Sequence, residues 1–163
     1  ELGLQSAHNE TLVRINRGHT CEDFEKSYSK LREAGVQLTV HLIFGLPGEG
    51  EKEIIETIDY VARKGPDGIK IHNLHIVQGT TLCKEYLLGD LIVPTPARHL
   101  EYVITALERI PPESVIMRLT CDTPPDRLVA PRRGGGKMRF YQILRERMQE
   151  RNAWQGKQFR PPQ

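Results

Sequence analysis

Cysteine is scarce in this chain: Cys21, Cys83 and Cys121 are the only three in 163 residues, and no two are closely spaced. That pattern excludes a disulfide framework and the paired ligands of a structural zinc site, and it suits a reducing cytoplasm. No apolar run approaches the roughly 20 residues that a membrane-spanning helix needs. No leader with a basic start, an apolar middle and a small-residue end opens the chain, and the first residue is Glu rather than Met. Residues 1–6 already read as a core strand, and chain ends usually fray, so the expectation is that an N-terminal part precedes them.

What is present is ordinary for a globular domain: 38% apolar and 27% charged residues with a net charge of +2. The charge is unevenly spread. From Arg132 onward nine basic residues face two acids, Glu146 and Glu150, whereas the body before them carries 14 basic and 19 acidic residues. A basic C-terminal third can contact phosphate backbones, such as RNA. It can equally form a solvated helix with pairing partners four residues apart.

Strand and helix patterns alternate. Strands are expected over residues 1–6, 36–44, 68–77 and 115–121. Helices are expected over residues 11–16, capped by Asn9, and over 22–34, 52–64, 80–88, 96–110 and 137–149. The first three strands are spaced by roughly 33 residues, which suits βα units of a parallel sheet or barrel. Residues after 152 read as a disordered tail or a docking strap. The organisation expected is a barrel part over 1–110, a strand-plus-helix extension over 111–152, and the tail over 153–163.

In such folds chemistry gathers at the carboxyl ends of the parallel strands. Four polar or glycine-rich segments follow strands here: Gln5-Ser6, Gly45 to Glu49, His75 to Thr80, and Thr120-Cys121-Asp122. The sharpest is His41-Leu42-Ile43-Phe44-Gly45-Leu46-Pro47-Gly48-Glu49, a buried strand running into a glycine turn and then a helix. Gly45 and Gly48 would let a flat ligand approach the backbone. His72 and His75, three apart on one expected strand, should face opposite sides. With no carboxylate at fitting spacing they make no metal site, and no metal ligands are expected. His8, His19 and His99 read as surface or capping residues.

Three segments together carry a resemblance: Glu1 to Ser6, Leu12 to His19, and His41 to Glu49. They resemble the fourth and fifth strands of the radical S-adenosylmethionine (SAM) superfamily, including its oxygen-independent coproporphyrinogen oxidase and Elongator-like branches. His72 to Thr80 resembles the sixth strand and its exit loop. Arg118 to Pro125 and Trp154-Gln155-Gly156 are similar to a bacterial subfamily of iron–sulfur oxidoreductases. The implied fold is α/β, the C-terminal half of a partial (βα)6 TIM-like barrel with an α-rich extension. The implied cofactors are SAM and a [4Fe–4S] cluster. The implied activity is an enzyme's: a 5′-deoxyadenosyl radical abstracts hydrogen from a substrate.

The resemblance also implies residue roles. Gln5 and Ser6 would lie near the ribose and amino-acid part of SAM, and Arg17 at its carboxylate, where a guanidinium fork suits two oxygens. Ile43 and Gly45 would flank the adenine, and Leu74 its other edge. His41 stands where the porphyrinogen branch has a ribose-binding aspartate. His75 and Asp122 would meet the substrate. The superfamily's cluster sits on a Cys-x3-Cys-x2-Cys run, which is absent here, so the ligands are expected in the missing N-terminal part and the chain alone should be inactive. The loop Arg132 to Lys137 departs from the subfamily, which tends to have an aromatic and a cysteine there. Two other readings stand beside this one: an RNA- or phosphate-binding module using the basic third, and a different α/β barrel with a phosphate-binding glycine turn.

Overall fold

The computed structural model describes residues 1–132 and 136–161. Arg133 to Gly135 of the basic glycine loop, and Pro162 and Gln163, lie outside the described residues. The chain runs β1 (Leu2–Gln5), α1 (Asn9–Arg14), α2 (Cys21–Glu33), β2 (Thr39–Phe44), α3 (Glu51–Lys64), β3 (Gly68–Asn73), β4 (Ile76–Val77), α4 (Thr81–Leu88), α5 (Pro96–Arg109), β5 (Val115–Arg118), β6 (Leu128–Ala130) and α6 (Gly136–Glu150). Strands β1, β2, β3 and β5 form one sheet in that order, and every neighbouring pair is parallel. Strands β4 and β6 pair antiparallel as a separate ribbon. No helix among the described residues is long and apolar enough to cross a membrane.

The sheet has one dry face. Leu4, Val40, Leu42, Phe44, Ile69 and Ile71 point into it and are buried against Phe24 of α2, Ile54 and Ile58 of α3, and Val103 and Leu107 of α5. The helices present these residues because apolar positions recur three and four apart. Sharp signals end each helix. Thr20 and Asp23 form a capping box at the start of α2, and Gly65 closes α3 in the left-handed conformation.

The opposite face is different. Parallel strands usually read as continuous apolar runs because both faces are covered. Here β2 alternates, with Val40, Leu42 and Phe44 buried and Thr39, His41 and Ile43 half-buried. That second face is polar and open in this chain. Above the carboxyl ends of the strands sits a smaller apolar cluster of Leu46, Leu74, Ile76, Cys83, Leu91 and Ala130, built largely from the β4–β6 ribbon and α4.

Several expectations change. Asn9 lies inside α1 and His8 takes the cap position. The Asn9 side chain instead accepts the Cys21 backbone N–H at 2.8 Å, so it caps the neighbouring helix. The strand expected over 68–77 breaks after Asn73, and β4 leaves for another sheet. Strand β6, beyond Pro124-Pro125, was not expected at all. His99 is 2% exposed rather than on the surface, and its Nε2 lies 2.9 Å from the Leu119 carbonyl oxygen. Residues 153–161 of the tail make hydrogen bonds to α5 and to the turn before β5. The Gly156 N–H donates to Leu107 O at 3.0 Å and the Gln158 N–H to Glu108 O at 2.7 Å, both on α5. The Gln155 side-chain amide donates to Pro111 O at 2.7 Å and Ser114 O at 2.8 Å.

Candidate functional site

The carboxyl end of β1 is shaped by a single missing side chain. A Cβ on Gly3 would stand 2.5 Å from Gln5 Nε2 and 2.7 Å from Arg17 Nη2, so with any other residue there the ends of these two side chains would have to shift. The β1–β2 ladder slips between Gly3 and Gln5, and Gln5 takes a left-handed φ of 72°. A bulge re-aims a side chain in this way. Arg17 reaches in from the loop after α1, and its Nη2 donates to Gly3 O at 3.2 Å.

Next to Gln5 lies a groove of about 340 Å³, within the range of small-molecule sites, lined by Gln5, His41, Ile43, His72, Asn73, Leu74, His75 and Cys121. Its floor is the open face of β2 and β3. The rings of His41 and His72 stack there, 5.7 Å apart and inclined at 28°. Burial pushes both imidazole pKa values below the ordinary histidine range; the Arg118 charge adds to this at His72, and Glu1 opposes it at His41. Glu1 Oε2 lies 3.0 Å from His41 Nε2, and Glu1 also pairs with Lys70. Asn73 joins β3 to the exit of β5: its Oδ1 accepts from Thr120 Oγ1 at 3.0 Å and from the Cys121 N–H at 3.2 Å. A second hollow of about 410 Å³ adjoins the groove, sharing His75 and Cys121 and adding Asp122, Thr123 and Arg132. His75 Nδ1 lies 2.8 Å from Thr123 Oγ1. A larger hollow of about 920 Å³, beside α1 and the turn after β2, shares no lining residue with the groove.

Of the residues singled out from sequence, Gln5, His41, Ile43, Leu74 and His75 line one groove, and Arg17 joins them over Gly3. Asp122 is exposed and lines the adjoining hollow. Ser6 and Gly45 do not reach the groove. Ser6 is fully buried; its hydroxyl donates to the Glu49 carboxylate and accepts the His8 N–H at 3.0 Å. Burial pushes the Glu49 pKa up, against the pull of its bonds to Ser6 and Thr11. Ser6 and Glu49 therefore brace the strand end from behind. Gly45 has a φ of +83°, and a Cβ there would stand 2.5 Å from Pro94 Cγ. The space beside it holds the chain's own proline, so the expected open approach for a flat ring is absent at Gly45.

Sequence reasoning assigned no role to Gly3 or Asn73, and it placed Cys121 in a rim segment and His72 on a strand without assigning either to the site. Gly3 carried a usable signal, since an isolated glycine in a strand marks a bulge or a close approach. His72 and His75 share the groove despite their spacing, because the strand ends at Asn73 and strict alternation ends with it.

The described residues offer nothing for an iron–sulfur cluster. Cys21 and Cys83 are buried, Cys121 is half-buried, and the three lie on separate elements. No group of three or more His, Cys, Asp or Glu among the described residues is placed to hold a metal ion.

Comparison with known proteins gives a consistent picture. The family described as Radical SAM superfamily matches residues 1–61, and the Radical SAM C-terminal domain matches residues 66–150. The chain is 35% identical over 159 residues to uncharacterised protein YtqA of Bacillus subtilis, covering 98% of this chain and 49% of that protein. It is 35% identical over 97 residues to a tRNA uridine(34) acetyltransferase of Methanocaldococcus jannaschii, covering 55% of this chain and 17% of that one. In three dimensions it resembles an N-terminally truncated Elp3 of Methanocaldococcus infernus. That match has a TM-score of 0.83 at 24% identity, covers 94% of this chain and 36% of the other, and is a likeness of fold. The chain thus spans about half the length of the first of these relatives.

Proposed function

Because the chain belongs to the radical SAM superfamily, we propose that its groove is the SAM-binding wall of a radical enzyme that works in the reducing cytoplasm. The described residues do not fit a [4Fe–4S] cluster. We place the cluster ligands in sequence corresponding to the other half of the relatives, and the 5′-deoxyadenosyl radical and its hydrogen abstraction with the whole enzyme. This chain's share is to bind and orient the nucleoside.

The observation that carries the reading is the meeting of the Gln5 carboxamide, the Arg17 guanidinium, three imidazoles (His41, His72 and His75) and the aliphatic side chains of Ile43 and Leu74 at the carboxyl ends of adjacent parallel strands. Ile43 and Leu74 are apolar and suit the two edges of a flat adenine. Gln5 and His41 can donate to or accept from ribose hydroxyls. Arg17, held over Gly3, offers its remaining N–H groups to the amino-acid carboxylate. Ser6 acts at one remove, by fixing the strand end that aims Gln5. His75 and Asp122 face the second hollow, where a substrate would lie beside the nucleoside.

The test is calorimetry with S-adenosylhomocysteine, a stable analogue. Arg17→Ala is expected to weaken binding by about 1–3 kcal/mol, the range for a hydrogen bond to a charged group. An affinity unchanged by that substitution would refute the assignment of Arg17, and no binding by the wild-type chain would refute the groove.

A second reading rests on the basic C-terminal third. Among the described residues Arg139 and Arg145 of α6 are exposed, and neither is held in an ion pair. One relative is named as a tRNA-modifying enzyme. Together these support an RNA partner for the extension. Binding to a transfer RNA should then fall linearly with the logarithm of salt concentration, and salt-independent binding would remove this reading.

A further inference from the structure

The strand registers set four residues side by side across the open face. Gly3 pairs with His41, His41 with Lys70, and Lys70 with Arg118. This row lies one level below the groove residues Ile43 and His72, which pair with each other. The β3–β5 ladder slips between Ile69 and Lys70, so both Met117 and Arg118 serve the open face. Met117 lies against Thr39, with its sulfur 3.2 Å from the hydroxyl, and Arg118 is close enough to act on the charge of His72.

The row is unevenly neutralised. Lys70 pairs with Glu1, which is the one acid among the residues of β1, β2, β3 and β5 and their immediate N-terminal flank on this face. Arg118 is half-buried and has no ionic or hydrogen-bonding partner among the described residues. Its guanidinium keeps part of its exposure to solvent, and no acceptor among the described residues uses its donors. Its planar fork matches the oxygens of a carboxylate or phosphate.

We propose that the Lys70–Arg118 end of this row is an anion subsite that takes a carboxylate or phosphate group carried by the substrate. The proposal deepens the reading of this face as the site, and rests on it. With strands about 4.8 Å apart and levels about 6.6 Å apart, Arg118 lies roughly 12 Å from Ile43, room for a small substrate between the anion and the nucleoside. The substrate class is therefore an acid or a phosphate ester, not a neutral or cationic molecule.

The test follows the Arg118 Nε–Hε signal by nitrogen-15 NMR while the chain is titrated with inorganic phosphate and, separately, with acetate, chloride holding the ionic strength constant. A saturable shift with one or both is expected, and which probe saturates names the group. Arg118→Gln, with the His72 ring as reporter, should weaken that binding at least tenfold. Arg118→Lys, which keeps the charge but loses the fork, should fall between. The backbone spectrum of each variant checks that it is folded. No saturable response to either probe, or equal affinity in Arg118→Gln, overturns the proposal. A parallel titration with S-adenosylhomocysteine separates the two ideas. Nucleoside binding without anion binding sinks the subsite alone, and anion binding without nucleoside binding leaves the subsite standing while the groove assignment falls.

Discussion

Replacing Gly45 by alanine should destabilise the protein by about 2–5 kcal/mol, and the two halves of that figure can be separated. The first half is backbone. Gly45 has a φ of +83°, and a residue with a Cβ held there loses roughly 1–2 kcal/mol. The second half is contact. The new methyl would start 2.5 Å from Pro94 Cγ and 2.7 Å from its Cδ, a rigid ring that must be displaced, and forcing extra volume into a packed site typically adds about 1–3 kcal/mol. Gly48 is the control. Its φ is +86°, but nothing stands within 4 Å of its would-be Cβ, so Gly48→Ala should show the backbone part alone. Urea unfolding followed by circular dichroism gives each value. A double-mutant cycle with Pro94→Ala then isolates the contact: the pair should be less destabilised than the sum of the singles by about 1–3 kcal/mol. Equal destabilisation at Gly45 and Gly48, with no coupling to Pro94, would show that the proline does not occupy that space and would reopen it to a ligand.

Two further outcomes are expected. Thr20→Ala removes half of the α2 capping box, whose hydroxyl accepts the Asp23 N–H at 3.3 Å, and should lower stability by about 1 kcal/mol in the same assay. The depressed pKa of His72 gives a pH dependence of definite sign. The unfolded chain takes up the proton first, near 6.5, so the contribution is complete above that pH and is lost as pH falls below it towards the folded-state value. His72→Gln should flatten that fall in stability between neutral and mildly acid pH, and an unaltered slope would refute the burial of His72.

The helices were largely legible because their signals are local. Apolar spacing acts within a few residues, as do the caps Thr20, Thr80 and Thr95 and the stops Gly65 and Gly89 that the structure shows and that went unnamed in the sequence reading. What the sequence hid was decided at a distance. The break after Asn73 depends on β6, more than fifty residues later in the chain, offering Ala130 as a partner for Ile76. Ser6 reads as a rim residue until Glu49 is seen to hold its hydroxyl. Gly45 reads as an open approach until Pro94, from a loop with no pattern of its own, fills it. The groove fared better: Gln5, His41, Ile43, Leu74 and His75 meet because strand ends in a parallel sheet share one rim, a property of the topology rather than of any contact. Arg118 escaped notice because its interest lies in the acid that is not beside it, and pairing across strands cannot be read from one of them.

The Gln155 clip has a bearing on how the molecule is made. The carbonyls of Pro111 and Ser114 flank the turn into β5, yet the amide that fastens Pro111 arrives 44 residues later. On a ribosome, β5 therefore emerges well before this clip can close on it. Translation that stopped short of Gln155 would yield every strand of the sheet, with β5 held by its ladder to β3 but without this clip.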